Sequence, residues 1–203
     1  MLVEVYEAYL LSLEEFSILL RASGCRSFYG FPIGESSLSR KELLLKLHQM
    51  VKKGLLKSDG EHFLMEQNLA SCIRTITDAE KMLLIEVHTP PLPVYCCYPG
   101  RQILICEWMS RRDGYIKLKR TDGNKFYGIL VEEGYFPSLG EGSMRLICNH
   151  TGHQEKKLTL QRKGLEQILS LETEGELTEM VYSEENLKRM FTALTEGGFY
   201  DIS

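Results

Sequence analysis

The stretch Met82-Leu83-Leu84-Ile85-Glu86-Val87 marks the point in this chain of 203 residues at which helical spacing of apolar residues gives way to short apolar runs. Such runs, bounded by turn-forming residues, are typical of β-strands. Connectors such as Pro99-Gly100 and Asp122-Gly123 are too short to hold crossover helices. The pattern therefore predicts an antiparallel β-meander over residues 81–160. Its strands are expected at Met82–Val87, Val94–Tyr98, Gln102–Trp108, Tyr115–Lys119, Phe126–Val131 and Met144–Cys148, with an edge strand at Leu158–Leu160.

The part before the meander, residues 1–80, predicts two capped helices and a hairpin. Residues 12–15 and 39–42 each have the sequence pattern S-x-x-E, the capping box that opens a helix. Gly54 is placed to end the second helix, and the turn sequence at 58–61 contains Asp-Gly, which predicts a hairpin. Helix, helix and short hairpin resemble a winged-helix arrangement.

Further helices are expected at three places. Asn68 is predicted to cap a third short helix, and the spacing of Leu165, Ile168 and Leu169 predicts another helix after the meander. Ser183 opens the last one. The chain is thus predicted to be a single α+β domain, residues 1–203. Its parts are an N-terminal helical unit (1–80), the meander (81–160) and a C-terminal helical unit (161–203).

An internal duplication is a further hypothesis. Laying Ser183 on Ser39 places Leu187 on Leu43 and Gly198 on Gly54, so that cap, apolar face and glycine stop recur. This match predicts pseudo-two-fold symmetry, with two helical units flanking one sheet. The alternative is chance, because any amphipathic helix with a serine cap and a glycine stop reproduces part of the pattern.

The composition is that of an ordered globular protein, with 43% hydrophobic and 26% charged residues. A formal net charge of −4 provides no general attraction for nucleic acid or an anionic membrane. Residues 1–7 carry acids where a secretory signal has bases, and their apolar residues alternate as in a strand. The apolar run Val94–Tyr98 is far shorter than the ~20 residues of a membrane helix. We expect a cytoplasmic protein with no membrane span.

The six cysteines show no regular spacing, and four of them lie in apolar, strand-like runs. Reduced, buried thiols are therefore expected rather than disulfides. One group of potential metal ligands stands out: Cys148, His150 and His153 lie within six residues. A structural zinc site needs a fourth ligand, and no familiar ligand spacing supplies one. The favoured alternative is a strand end followed by an exposed turn, and no cofactor is predicted.

Catalytic motifs are not visible in the sequence. It has no GxSxG nucleophile motif, and the glycines at 140–142 lack the lysine and context of a phosphate-binding loop. Paired carboxylates such as Glu132-Glu133 are adjacent rather than convergent, as expected of solvated surface. We predict that the chain is not an enzyme.

A winged-helix-containing regulator or nucleic-acid-binding protein is the alternative, because basic residues accompany the second predicted helix. Against it, the hairpin tip is acidic at Asp59 and Glu61, where a DNA-binding wing normally adds positive charge. We therefore expect nucleic acid to be an improbable partner. The basic residues are Arg40, Lys41, Lys46, Lys52, Lys53 and Lys57.

The order of features resembles that of the EspG-type chaperones of type VII secretion. The similar stretch covers about half of the chain, running from Leu11-Ser12-Leu13-Glu14-Glu15 through Lys53-Gly54-Leu55-Leu56 and Asp59-Gly60 to Leu69, followed by the meander. The resemblance implies a non-catalytic cytosolic protein with two pseudo-symmetric halves around an antiparallel sheet. It also implies that the partner is another protein, a helical secretion substrate held until it reaches the secretion machinery.

A chaperone of this kind needs a groove with exposed apolar anchors. The apolar face of the last predicted helix is the candidate for partner binding. Ordinary core packing is the alternative, because buried apolar stripes are the rule on amphipathic helices. The candidate residues are Leu187, Met190, Phe191 and Leu194.

Overall fold

The structure is a computed structural model, which describes residues 8–31, 33, 38–87, 94–109, 114–132, 134 and 141–196. These residues form eleven strands and five helices. In chain order the elements are β1 (Tyr9–Ser12), α1 (Leu13–Ala22), α2 (Arg40–Lys52), β2 (Leu56–Ser58), β3 (Phe63–Met65), α3 (Gln67–Asp78), β4 (Lys81–Val87), β5 (Val94–Tyr98), β6 (Ile103–Met109), β7 (Tyr115–Thr121), α4 (Gly123–Glu132), β8 (Gly142–Cys148), β9 (Gln154–Lys163), β10 (Glu166–Thr173), β11 (Glu176–Val181) and α5 (Glu184–Thr195).

Nine of the strands form one antiparallel sheet in the order β1-β7-β6-β5-β4-β8-β9-β10-β11. Strand β1 lies at one edge beside β7. The other eight strands form two four-stranded meanders, β4 to β7 and β8 to β11, joined where β4 pairs with β8. Their register runs from Lys81 opposite Cys148 to Val87 opposite Gly142. The strands β2 and β3 form a separate hairpin. The predicted α+β fold with a large antiparallel sheet is confirmed.

Helices cover different parts of the two sheet faces. On one face, α1, α2, α3 and the β2–β3 hairpin pack on strands of the first meander. On the other face, α4 and α5 pack on strands of both meanders. Each face of the sheet thus has its own hydrophobic core, the first under α1 to α3 and the second under α4 and α5. Strand β4 contributes to both because its side chains alternate: Met82 and Leu84 pack in the first core, and Leu83 and Ile85 pack in the second.

The predicted strand at Phe126–Val131 is wrong, because this segment lies in α4. Asp122 directly precedes the first residue of the helix. The carboxylate of Asp122 accepts a hydrogen bond from the Asn124 backbone N–H, and its backbone carbonyl accepts one from the Lys125 backbone N–H. Phe126 and Leu130 lie four residues apart on one helix face and are fully buried. Asp122-Gly123 therefore starts a helix instead of closing a hairpin.

The predicted helix around Leu165, Ile168 and Leu169 is also wrong, because these residues belong to a β-hairpin. Gly164, with φ +67°, lies in the turn between β9 and β10, and Leu165 at the tip is 96% exposed. Leu169 is buried with Leu171, two residues on, which is strand periodicity. The segment Leu158–Leu160, predicted as an edge strand, lies inside the sheet within β9.

In the N-terminal part, both capping boxes and the Gly54 stop are confirmed. Gly54 has φ +74° and donates to the Val51 carbonyl. The predicted Asn68 cap is wrong by two residues: Glu66 caps α3 by accepting hydrogen bonds from the backbone N–H groups of Asn68 and Leu69.

The topology repeats, because four meandering strands are followed by a helix twice, first as β4 to α4 and then as β8 to α5. In this repetition α5 corresponds to α4, whereas the superposition of Ser183 on Ser39 makes α5 correspond to α2. That superposition and the winged-helix interpretation stay predictions. The strand expected within residues 1–7 and the stop at Gly197-Gly198 lie outside the described residues.

The four residues proposed to bind a partner are buried in the second core: Leu187, Met190, Phe191 and Leu194 are at most 3% exposed. The ring centroid of Phe191 lies 6.0 Å from that of Phe126 and 5.3 Å from that of Tyr127. The structure therefore corrects the groove hypothesis for these residues, since the sheet and α4 already cover them. Core packing is the arrangement observed.

Replacing Phe191 by alanine tests this packing. We expect the free energy of unfolding to fall by about 3–5 kcal/mol, because the substitution leaves a cavity in a filled core. Urea denaturation measures the change. The matched control is Leu165→Ala at the exposed hairpin tip, which is expected to change stability by less than about 0.5 kcal/mol. Equal effects of the two variants would contradict the core assignment.

Candidate functional site

The residues predicted as weak metal ligands lie at the end of β8 and in the turn that leads to β9. Cys148 donates its backbone N–H to the His153 carbonyl, and Gly152 donates to the Cys148 carbonyl, which closes a tight turn. In the described part of the chain, no three His, Cys, Asp or Glu side chains are grouped to hold a metal ion. The structure thus places Cys148, His150 and His153 in a turn and does not assemble them into a ligand set.

Asn149, which sequence reasoning left aside, is the residue of this turn with the strongest contacts. Its buried side-chain amide donates to the carbonyls of Ile76 at 2.7 Å and Ala79 at 2.9 Å, at the C-terminal end of α3. Its backbone N–H donates to the Glu80 carbonyl at 2.7 Å. Asn149 therefore docks the β8–β9 turn onto α3. No local sequence pattern indicates this role, because the residues in contact are about 70 positions apart in the chain.

Replacing Asn149 by alanine is expected to lower the free energy of unfolding by about 1–3 kcal/mol, because buried carbonyls lose their donor. Thermal or urea denaturation measures this loss. Asn68→Ala is the control, because Asn68 is exposed near the start of the same helix. A loss no greater than that of the control would show that the turn is not held by these bonds.

The segment after α1 lies against the same turn and the sheet. A Cβ added at Gly152, where φ is +71°, would lie 2.5 Å from Cδ1 of Tyr29, so the tyrosine ring packs directly on this glycine. Phe31 stacks with Trp108 of β6 at a centroid distance of 6.2 Å. These contacts hold residues 28–31 between the first meander and the β8–β9 turn.

Three neighbouring cavities follow this segment, with volumes of about 360, 500 and 440 Å³. The first and second share Cys25, Arg26 and Ser27 as lining residues. The second and third share Ser23, Thr77 and Asp78. Because neighbouring cavities share lining residues, the three lie side by side along one surface between Ile33 and Leu64, which we call the arginine groove.

The arginine groove carries an excess of positive charge. Arg21 and Arg26 line its first cavity, Arg26 also lines the second, and Arg74 lines the third. All three arginines are exposed. Among the described residues their guanidinium groups make no ion pair or hydrogen bond, unlike those of Arg120 and Arg145, which bond to Ser71 and Glu86. Asp78 is the single acid among the described residues that line these three cavities.

Apolar groups lie at both ends of the arginine groove. Leu64 of β3 is 57% exposed and lines the third cavity. Phe28, Phe31 and Ile33 line the first. Phe28 and Phe31 contact each other at a centroid distance of 4.9 Å. The groove thus combines exposed cations with apolar contact surface.

The thiols differ in their environment. Cys25 lines the first two cavities, and partial burial raises its pKa. A hydrogen bond from the Thr151 hydroxyl, together with backbone hydrogen bonds from His150 and Thr151, lowers the pKa of Cys148. Complete burial raises the pKa well above its usual value for Cys96 and Cys106. All six cysteines are free, and four of them are buried as predicted, whereas Cys25 and Cys148 are half-buried.

These environments predict an order of alkylation by iodoacetamide in the native protein at neutral pH. Cys148 should react first because a lowered pKa increases its thiolate fraction, and Cys25 should react more slowly. The buried Cys96, Cys97 and Cys106 should react only after unfolding. Mass spectrometry of digested samples measures the order. Modification of a buried thiol before Cys148 would contradict the assignment.

Some basic residues of the helix proposed for nucleic-acid binding form ion pairs within the protein. Lys46 forms an ion pair with Glu14, and Lys53 Nζ lies 2.6 Å from Oε1 of Glu15, whose side chain is buried. These pairs join α2 to α1. Two of the six basic residues therefore have a structural role, which weakens the nucleic-acid interpretation of this helix.

No family model matches the sequence, and no curated protein shows significant similarity to it. Among the helices of the described residues, none is both long and apolar enough to cross a membrane.

Proposed function

We propose that the chain is a non-catalytic adaptor or chaperone that binds a segment of another protein in the arginine groove. The observation that carries the proposal is a row of adjoining cavities lined by three guanidinium groups that have no partner among the described residues, together with the exposed side chain of Leu64. Arginine, methionine and aromatic side chains are enriched at protein interfaces, whereas lysine is depleted. Of the described residues that line these three cavities, none is a lysine.

The dimensions of the groove also support a macromolecular partner. Each cavity is large enough for several side chains, and the three are open to solvent and adjoin one another. A small-molecule site typically buries most of its ligand in a single, mainly apolar pocket. A surface groove lined by serine, threonine and arginine suits a peptide segment better, because such side chains bind backbone groups and side chains alike.

The likeness to EspG-type chaperones supports a more specific proposal. On that basis the partner is a helical substrate of type VII secretion, held in the cytosol before export. The chain would act as a holder and require neither cofactor nor catalytic group. The antiparallel sheet with helical layers on both faces agrees with that likeness at the level of architecture.

Capture from a lysate of cells that naturally make the chain tests the proposal. Tagged wild-type protein is compared with Leu64→Ser, which removes apolar surface from the groove without changing charge, and with Leu165→Ser at the distant hairpin tip. We expect the same partner with wild type and Leu165→Ser, and about tenfold less with Leu64→Ser, because apolar contact area is lost. Mass spectrometry quantifies the partner.

Two results would count against the proposal. Recovery of nucleic acid in place of protein, measured by absorbance and nuclease sensitivity, would favour the regulator alternative. Equal capture by wild type and Leu64→Ser would remove the groove as the binding site. Melting temperatures of all variants are measured alongside, so that unfolding is not mistaken for lost binding.

A further inference from the structure

We propose that the segment bound in the arginine groove is acidic, with spaced carboxylates that meet Arg21, Arg26 and Arg74 and an aliphatic side chain that packs on Leu64. This inference rests on the proposed function and names the chemistry of the partner. It goes beyond that function because a protein-binding groove has no necessary charge preference.

The distribution of the cations along the groove indicates the shape of the ligand. Arg21 and Arg26 lie at the first cavity and Arg74 at the third, so the positive groups follow the groove instead of converging on one point. A single phosphate is typically bound by several donors that converge on it. Separated guanidinium groups instead suit an extended segment whose carboxylates are separated too, each taken by a planar fork of donors.

Asp78 adds a selective element, because it lines both the second and the third cavity. Its carboxylate repels negative charge at the middle of the groove, between Arg26 and Arg74. A continuous polyanion such as a nucleic-acid backbone would place a phosphate near it. A peptide avoids the repulsion by presenting serine, threonine or a backbone group there, so the charge pattern favours interrupted over continuous negative charge.

The rest of the molecule makes this local charge significant. The whole chain has a formal net charge of −4, so its average field repels an acidic partner. Attraction must therefore come from a local set of cations that are not already paired. The lysines in and just after α2 meet this condition less well, because Lys46 and Lys53 are paired with Glu14 and Glu15.

Peptide binding tests the inference directly. The probe is a fluorescein-labelled peptide of glutamate, leucine and serine, and its counterpart has every glutamate replaced by glutamine. Fluorescence anisotropy with the full chain measures both affinities at low and high sodium chloride. At low salt we expect the glutamate peptide to bind at least about tenfold more tightly than the glutamine peptide. The difference should shrink at high salt because exposed ion pairs are screened.

A charge-matched pair of variants locates the effect. The groove variant R21Q/R26Q/R74Q is expected to lose the preference for the glutamate peptide. The control variant R162Q/K188Q/R189Q removes the same number of positive charges from exposed positions outside the groove and is expected to keep it. Equal affinity for the two peptides, or a preference that survives in the groove variant, would overturn the inference. So would tighter, groove-dependent binding of a single-stranded oligothymidine.

Failure of this inference is distinguishable from failure of the proposed function. If the lysate partner depends on Leu64 but is captured equally well by R21Q/R26Q/R74Q, the groove binds protein through apolar contacts and the acidic assignment alone is wrong. If capture is indifferent to both Leu64→Ser and the groove variant, the groove is not the binding site and both proposals fall.

Discussion

The pairing of β4 with β8 is the interaction on which the rest of the structure depends. It joins two meanders into one sheet, and β4 is buried on both faces because Met82 and Leu84 enter one core while Leu83 and Ile85 enter the other. A slip of one residue in this register would exchange the two sets of side chains between the cores. The position of every helix therefore depends on the alternation in this one strand.

The arginine groove is a consequence of how the N-terminal layer is attached to that sheet. Asn149 fixes the turn after β8 to the end of α3, and Tyr29 packs on Gly152 of the same turn. Segments from α1, α3 and the second meander thus meet at one place. The groove is the space left along this junction, which explains why its lining comes from three distant parts of the chain.

Positive charge has two different roles in the N-terminal unit. Lys46 of α2 and Lys53, the residue after it, pair with acids of α1 and hold the two helices together, with Glu15 almost completely removed from solvent. A buried carboxylate needs such a partner because an unpaired buried charge is costly. Around the groove, the guanidinium groups of Arg21, Arg26 and Arg74 remain exposed. Among the described residues these guanidinium groups have no partner, whereas the charge of the paired lysines is used within the fold.

The sequence by itself determined the features that depend on neighbours in the chain. The capping boxes at 12–15 and 39–42, the Gly54 stop, the hairpin turn at 58–61 and most strands after residue 82 were predicted correctly, because side-chain-to-backbone bonds and apolar periodicity act over a few residues. The tertiary structure decided the rest. Residues 126–131 form a helix because Phe126 and Leu130 find a shared core, and residues 166–173 form a strand because β9 and β11 pair with them on either side. The groove was not predictable at all, since Asn149, Arg26 and Arg74 are brought together only by contacts that span long stretches of the chain, and no local pattern records them.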